Sequence, residues 1–497
     1  MTGRDGDAGH KSLKIFLSGL FALLLLALLS TVRCSGDEGA PAPRGGAAVL
    51  PRAPEPLPAP ARIDYALLQS RLDRLVAEDP AMVGLAVGIV EGGQVRMLRG
   101  FGETLHGSGE PVTPDTVFRW ASVSKGVTGT LVAKLAAEGK LSLSDPLTKH
   151  VPSLRLPGGG EAQATVADLL SHRVGLNSNA YDDKLEEGHD VRLIRASLAQ
   201  TPPRCPVGTC HAYQNVAFDG ASELVERLTG KPMPDAMRER LFLPLGMRSA
   251  TATMQGLTGA PSWARGHIGG NSPRPIVLED AYFRVPAAGG VNSSIRDLTA
   301  WMLAQMGRAP AVLGPDLLRT IHAPLVATPG ENGRMRRYRE RIGGSHYGLG
   351  WRSYDYAGHR VIGHRGGVDG YRSLILFDPA LQTGVVALWN GGSRKPTALE
   401  FEVMDMVYGL DRRDWMELDG APQPVDRRRA RWCRRWRRPT APQRRTSRAP
   451  WPSPSPGSRP PRPGPASAPP RRAAHDCARP QPATGRRRRG RSRPPRW

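Results

Sequence analysis

The chain has 497 residues and a formal net charge of +24, with 69 Lys and Arg against 45 Asp and Glu. The excess sits at one end: residues 421–497 carry 23 Arg, no Lys and two acids, Asp426 and Asp476. The remaining body is nearly neutral, which excludes a body built to recognise nucleic acid by charge and leaves length for a sizeable apolar core.

The N-terminus has the form of an export signal. Arg4, Lys11 and Lys14 precede an uncharged, largely apolar run, Ile15–Val32. Its length lies between a cleaved signal core and a spanning helix, so residues 1–34 are expected to act as a signal peptide or a signal anchor. Arg33 stands where a lipobox before Cys34 would need a small residue. Residues 35–62, rich in Pro and Ala, read as a tether. These features place the working part outside the cytoplasm, periplasmic or extracellular, either released or held at the membrane by residues 15–32.

A globular domain is expected over residues 63–418. It opens with a helix, "YALLQSRLDRLVAE", followed by two apolar runs around Gly92-Gly93 that read as a hairpin. From Phe118 to about Met306 the pattern is mainly helical. Strand signals return in "GHRVIGHRGGVDGYRSLILFDPALQTGVVALWNGG", and "PTALEFEVMDMVYGL" closes with helical periodicity. Strands at both ends around a helical insertion imply one sheet built from both ends of the chain. Cys205 and Cys210 are the cysteine pair of this body and suit a short-loop disulfide in an oxidising compartment. "RMRRYRER" (334–341) reads as a solvated basic loop. The tail, 419–497, holds 18 of the 47 prolines within 421–497 and has little to bury, so it is expected to be disordered, with at most non-specific polyanion contacts.

The chemistry concentrates in "FRWASVSKGVTGTLVAKLAAEGKL" (118–141). Of nine lysines only Lys125 has a serine three positions earlier, Ser122. In the first turn of a helix the two side chains share a face, and the helix would bury Val127, Leu131, Val132 and Leu135. A serine hydroxyl needs a base to become a nucleophile. A lysine supplies one if burial lowers its pKa toward about 7–8, whereas arginine stays protonated. Further along come Tyr213 and Asn215 in "HAYQNVAF" and His364-Arg365-Gly366 in "RVIGHRGGVDGYRS".

Ser-x-x-Lys, then Tyr-x-Asn, then a basic residue-x-Gly resembles the motif order of the penicillin-recognising serine enzymes: class C β-lactamases, DD-peptidases and related esterases and aminopeptidases. "TVADLLSHRVGL", "LFLPLGM", "VPAAGGVNSSIRDLTAWM" and "YGLGW" resemble segments of the same β-lactamase-related serine hydrolase family. The resemblance implies an α/β (α+β) fold of the β-lactamase/transpeptidase type: an antiparallel sheet from both chain ends flanked by helices, with a mainly helical second subdomain. It implies Ser122 as the acylated nucleophile, Lys125 as its base and Tyr213 as a second proton-transfer group, its phenol acidified by nearby cations. Asn215 would bind substrate and orient the lysine. His364 and Gly366 would form the third motif, and the N–H groups of Ser122 and Gly367 the oxyanion hole.

Two departures stand out. His364 replaces the lysine of true β-lactamases, and Arg365 replaces the hydroxyl residue that helps hold a substrate carboxylate. Arg365 and Arg372 read as solvated charges. His172 reads as a buried, hydrogen-bonded histidine, and Ser293 and Ser294 as helix caps. The expected reaction needs no cofactor and no metal. Its substrate would be a small molecule or a peptidoglycan-type compound: a β-lactam, a D-amino-acid peptide or amide, or a small ester. The competing readings are a penicillin-binding receptor that acylates without turnover, and a polyanion binder acting through the tail.

Overall fold

A computed structural model describes residues 62–420. Residues 1–61, expected above to be a signal segment and tether, and the arginine-rich stretch beyond Gly420 lie outside the described residues. Among those described, no helix is long and apolar enough to cross a membrane.

Helix α1 (Tyr65–Glu78) starts where Asp64 accepts a hydrogen bond from the Leu67 N–H at 2.9 Å. Its Leu68, Leu72 and Leu75 share one face and are fully buried. The hairpin follows as β1 (Gly84–Glu91) and β2 (Gln94–Gly102). The chain then leaves the sheet for a largely helical stretch and returns as β3 (Val326–Ala327), β4 (Ile342–Tyr347), β5 (Arg352–Tyr356), β6 (His359–Val368), β7 (Tyr371–Asp378) and β8 (Thr383–Trp389). The sheet order is β2-β1-β8-β7-β6-β5-β4-β3, and every neighbouring pair is antiparallel. The pairing of Leu85 with Trp389 and Val87 with Ala387 joins the two ends of the chain.

Both faces of the central strands are covered, which is why they read as continuous apolar runs rather than alternating ones. Leu85, Val87, Ile89, Val385, Ala387 and Trp389 face α1 and the closing helix Leu399–Val407. Ala86, Val90, Val386, Leu388, Ile375 and Phe377 face the helical subdomain. Each large apolar side chain sealed in these layers contributes about 1.5–3 kcal/mol. In the basic stretch 334–341 Arg334, Arg336, Arg337 and Arg339 are exposed, as expected, but the segment is anchored rather than a free loop. Met335 and Tyr338 are buried, Tyr338 stacks 4.0 Å from Phe401, and Arg341 donates to Asp405 at 2.8 Å.

Helix α2 (Ser124–Ala137) runs through the helical subdomain, and nearly all of its residues are buried, including Val127, Leu131, Val132 and Leu135. A Cβ on Gly129 would come within 2.0 Å of the Leu349 carbonyl oxygen, so glycine lets the "YGLGW" strand end lie directly on this helix. Strand β5 pairs with β6 only as far as Gly363. The edge of β6 from His364 to Val368 is therefore left to the turn that precedes α2, and this sets the place of the site.

Candidate active site

Ser122 does not sit in the α-helix itself. It lies in a 3₁₀ turn, Ala121–Val123, immediately before it. Ala121 adopts a left-handed backbone, φ 47°, which is strained for a residue with a Cβ. The turn is pinned from outside: the Ser373 hydroxyl donates to the Trp120 carbonyl at 2.6 Å, and the Trp120 N–H donates to Val291 O at 2.8 Å. Gly366 of β6 passes against it. A Cβ there would meet Trp120 O at 2.2 Å and Ser122 N at 3.0 Å, so only glycine brings the strand this close to the serine backbone. Gly367 follows on the same edge, paired with Arg372 of β7.

One turn after the serine, at the second residue of α2, Lys125 is wholly buried, whereas Ser122 is partly exposed. The Lys125 amine donates to Asn215 Oδ1 at 2.7 Å and to the Ala288 carbonyl at 2.8 Å. The Asn215 amide is oriented by Asp182, whose Oδ2 accepts from Asn215 Nδ2 at 2.7 Å; a carboxylate only accepts, so the carbonyl end must face the lysine. Burial lowers the Lys125 pKa to about 7, against the pull of Asp182 and Asp219. Burial raises both carboxyls to about 6.

The Tyr213 ring lies beneath the same amine, 4.7 Å from Nζ. Its hydroxyl is buried and makes no hydrogen bond of regular geometry, although Ser122 is the polar group whose approach most favours its ionised form. Burial wins, and the phenol is held well above its usual pKa. This corrects the expectation that nearby cations acidify it. Arg352 stands 5.7 Å from the ring, but its charge does not offset desolvation.

Behind Tyr213 runs a second buried group. The Gln214 N–H donates to His172 Nδ1 (3.2 Å), so a neutral His172 carries its proton on Nε2 and gives it to Tyr347 Oη (3.2 Å). Tyr347 then donates to His364 Nε2 (2.9 Å), and His364 Nδ1–H to the Arg365 carbonyl (2.8 Å). Burial first holds both histidines well below the ordinary imidazole range, followed by His211, Lys125 and Arg352 at His172 and by Arg352 and Lys125 at His364. His364 is buried with both ring nitrogens engaged, so it does not offer a charge to a substrate carboxylate. Arg365 points to the opposite face of the sheet, where it pairs with Glu400 of the closing helix. Arg372 donates to the Val368 and Tyr371 carbonyls at 3.1 and 2.9 Å. Neither arginine is a solvated charge.

Residues 72–404 match the family model described as Beta-lactamase. The chain belongs to this beta-lactamase family. Similar members include penicillin-binding protein 4 of Amycolatopsis lactamdurans, 29% identical over 73% of this chain and 95% of that protein. Esterase EstB of Burkholderia gladioli is 28% identical over 64% of this chain and 82% of its own length. An unguisins hydrolase of Aspergillus campestris is 29% identical over 67% of this chain, which spans 64% of that longer protein. The fold is also that of an octameric penicillin-binding protein homologue from Pyrococcus abyssi, at TM-score 0.62, 24% identity and coverage of 70% and 78% of the two chains. The expectation of a β-lactamase-related serine hydrolase is met at the level of the family.

Within this beta-lactamase-family site the structure brings together Ser122, Lys125, Tyr213, Asn215, His364 and Gly366, with Gly367 beside them. Sequence reasoning missed Asp182, Tyr347 and Arg352. Asp182 sits among other acids in "YDDKLEEG", where nothing local marks it. Tyr347 opens the family-like "YGLGW" segment and Arg352 follows it, so a signal for them was present. Cys205 and Cys210 are bonded.

Proposed function

We propose that the protein is an exported serine acyl-hydrolase. The Ser122 oxygen bonds to the acyl carbon while the bond to the amine or alcohol breaks. The serine proton passes to Lys125, while Tyr213, a neutral phenol, gives its proton to the leaving group and is reprotonated by Lys125. Water then cleaves the ester, releasing the acid and restoring the Ser122 hydroxyl. The N–H groups of Ser122 and Gly367 would hold the developing oxyanion, each such donor being worth about 2.7–4 kcal/mol in the transition state.

The observation that carries this reading is the state of Lys125. A neutral amine has two N–H bonds and one lone pair. Asn215 and Ala288 take both hydrogens, which leaves the lone pair free to accept a proton. A pKa near 7 makes that neutral amine available at ordinary pH. Export is supported by the Cys205–Cys210 bond and the apolar run Ile15–Val32.

Intact-protein mass spectrometry after a fluorophosphonate tests the assignment. One adduct per chain is expected, on Ser122, and none on a folded Ser122→Ala variant. Stoichiometric labelling of that variant would place the nucleophile elsewhere.

A further inference from the structure

Asp219 lies between the two residues that accept the hydrogens of the Lys125 amine. It follows Asn215 by one turn in "YQNVAFDG", and its N–H donates to the Asn215 carbonyl at 3.0 Å. Its Oδ1 accepts the Ala287 N–H at 3.1 Å, one residue before Ala288, whose carbonyl takes the other lysine hydrogen. Thr128 of α2 grips the same residue from the opposite side, its hydroxyl donating to the Ala287 carbonyl at 2.8 Å. Asp219 is 2% exposed and stands at the N-cap of the helix Gly220–Thr229. An aspartate there ordinarily accepts N–H groups two or three residues on, but Asp219 accepts none of them. Its carboxylate takes the Ser222 hydroxyl at 2.7 Å and reaches across the fold to Ala287 instead. Its ion pair is with Arg195, at 3.0 Å, and not with Lys125. Arg195 in turn meets Ser153 at 2.8 Å and Glu223 at 3.6 Å. A buried ion pair adds little stability over apolar residues of the same volume, so stability alone does not account for one behind a base.

We infer that Asp219 is a positioning residue for the general base, fixing the Ala288 carbonyl and the Asn215 backbone so that the amine has one orientation and its lone pair one direction. The inference rests on the serine acyl-hydrolase reading, in which that lone pair accepts the Ser122 proton. Two contributions are separable. The hydrogen bond to Ala287 sets geometry. The negative charge favours the protonated amine, together with Asp182 and against Arg352. Arg195, with Glu223 beside it, is the charge that faces the Asp219 carboxylate from the neighbouring helix. The other titratable groups near the amine, Tyr213, His172 and His364, stay neutral.

The test measures hydrolysis of an uncharged ester across pH by Asp219→Ala, Asp219→Asn and Thr128→Val, each rate normalised to the folded fraction. Asp219→Ala should lower kcat by about 10- to 100-fold with KM little changed, because the base is misplaced and no substrate contact is lost. Asp219→Asn keeps an oxygen for the Ala287 N–H and removes the charge. It should retain most of the plateau rate, and its acid limb should move to lower pH. Thr128→Val loosens the same clasp without changing charge, so its plateau should fall and its limb stay in place. Wild-type kcat and pH limb in the folded fraction of all three variants, with only the melting temperature lowered, would make Asp219 a packing residue and overturn the inference. Should the Asp219 variants not fold, Thr128→Val decides, and a wild-type kcat there overturns it. A second measurement is independent of turnover: in Ser122→Ala protein, the Cε chemical shift of Lys125 follows titration of its amine. Adding Asp219→Asn should lower that midpoint, and adding Thr128→Val should leave it. A midpoint that moves in this way while ester hydrolysis is untouched supports the positioning of the amine, and the hydrolase reading is then what fails. An unmoved midpoint in the Asp219→Asn protein overturns the inference and leaves the hydrolase reading intact.

Discussion

Two groups of buried ionisable side chains lie within one residue layer of Ser122, and burial has opposite consequences in them. Lys125 is surrounded by two carboxyls, Asp182 and Asp219, which oppose desolvation and hold its pKa at about 7. His172 and His364 are as deeply buried, but the charges acting on them include Arg352 and Lys125, so field and desolvation act together and fix them neutral. The same loss of water makes a titrating base in one place and an inert scaffold in the other. The ordinary pKa decides which, 10.5 for the lysine against 6.5 for an imidazole, and the neighbouring charges widen the gap.

The comparison can be broken first at the lysine. Lys125→Arg keeps a cation but cannot release its proton, so kcat/KM should fall by at least about 100-fold, nearly as far as in Lys125→Ala. An arginine variant retaining half the rate would mean that Lys125 supplies only charge.

Tyr347→Phe attacks the neutral group instead. It strands His172 Nε2–H and His364 Nε2, each at a cost of about 1–3 kcal/mol. The melting temperature should drop by several degrees, while the pH dependence of the remaining activity stays unchanged. A displaced pH profile with unchanged stability would put this group in the proton path.

Asp182→Asn has the smallest expected effect and is the most specific. Removing a charge that favours the protonated amine should lower the Lys125 pKa further. The acid limb of kcat/KM should then move to lower pH, with the plateau above it little altered. A shift to higher pH would contradict the assigned electrostatics.

Much of the fold was legible because its two periodicities are strong. The boundaries of α1 come directly from an N-cap aspartate and leucines at helical spacing. The late strands come from β-branched runs between turns. Ser122, Lys125 and Asn215 were legible from residue type and order. What escaped depended on burial and on which face a side chain takes. Tyr213 looked like a phenol to be acidified by cations, and only its enclosure shows why its pKa rises. Arg365 was legible in principle: side chains alternate across a strand, so with His364 facing the helical subdomain its neighbour must face the closing helix. Asp182 was not, because its value lies in contact with Asn215, 33 positions away.

The measurement that bears most directly on the central claim is the rate of Ser122 acylation by an uncharged ester between pH 5 and 9. With a neutral Lys125 required and its folded pKa near 7, the rate should be low at pH 5, rise through a midpoint close to 7 and level off above it. A rate that is flat across this range, or that falls as pH rises through 7, would show that the buried lysine is not the base.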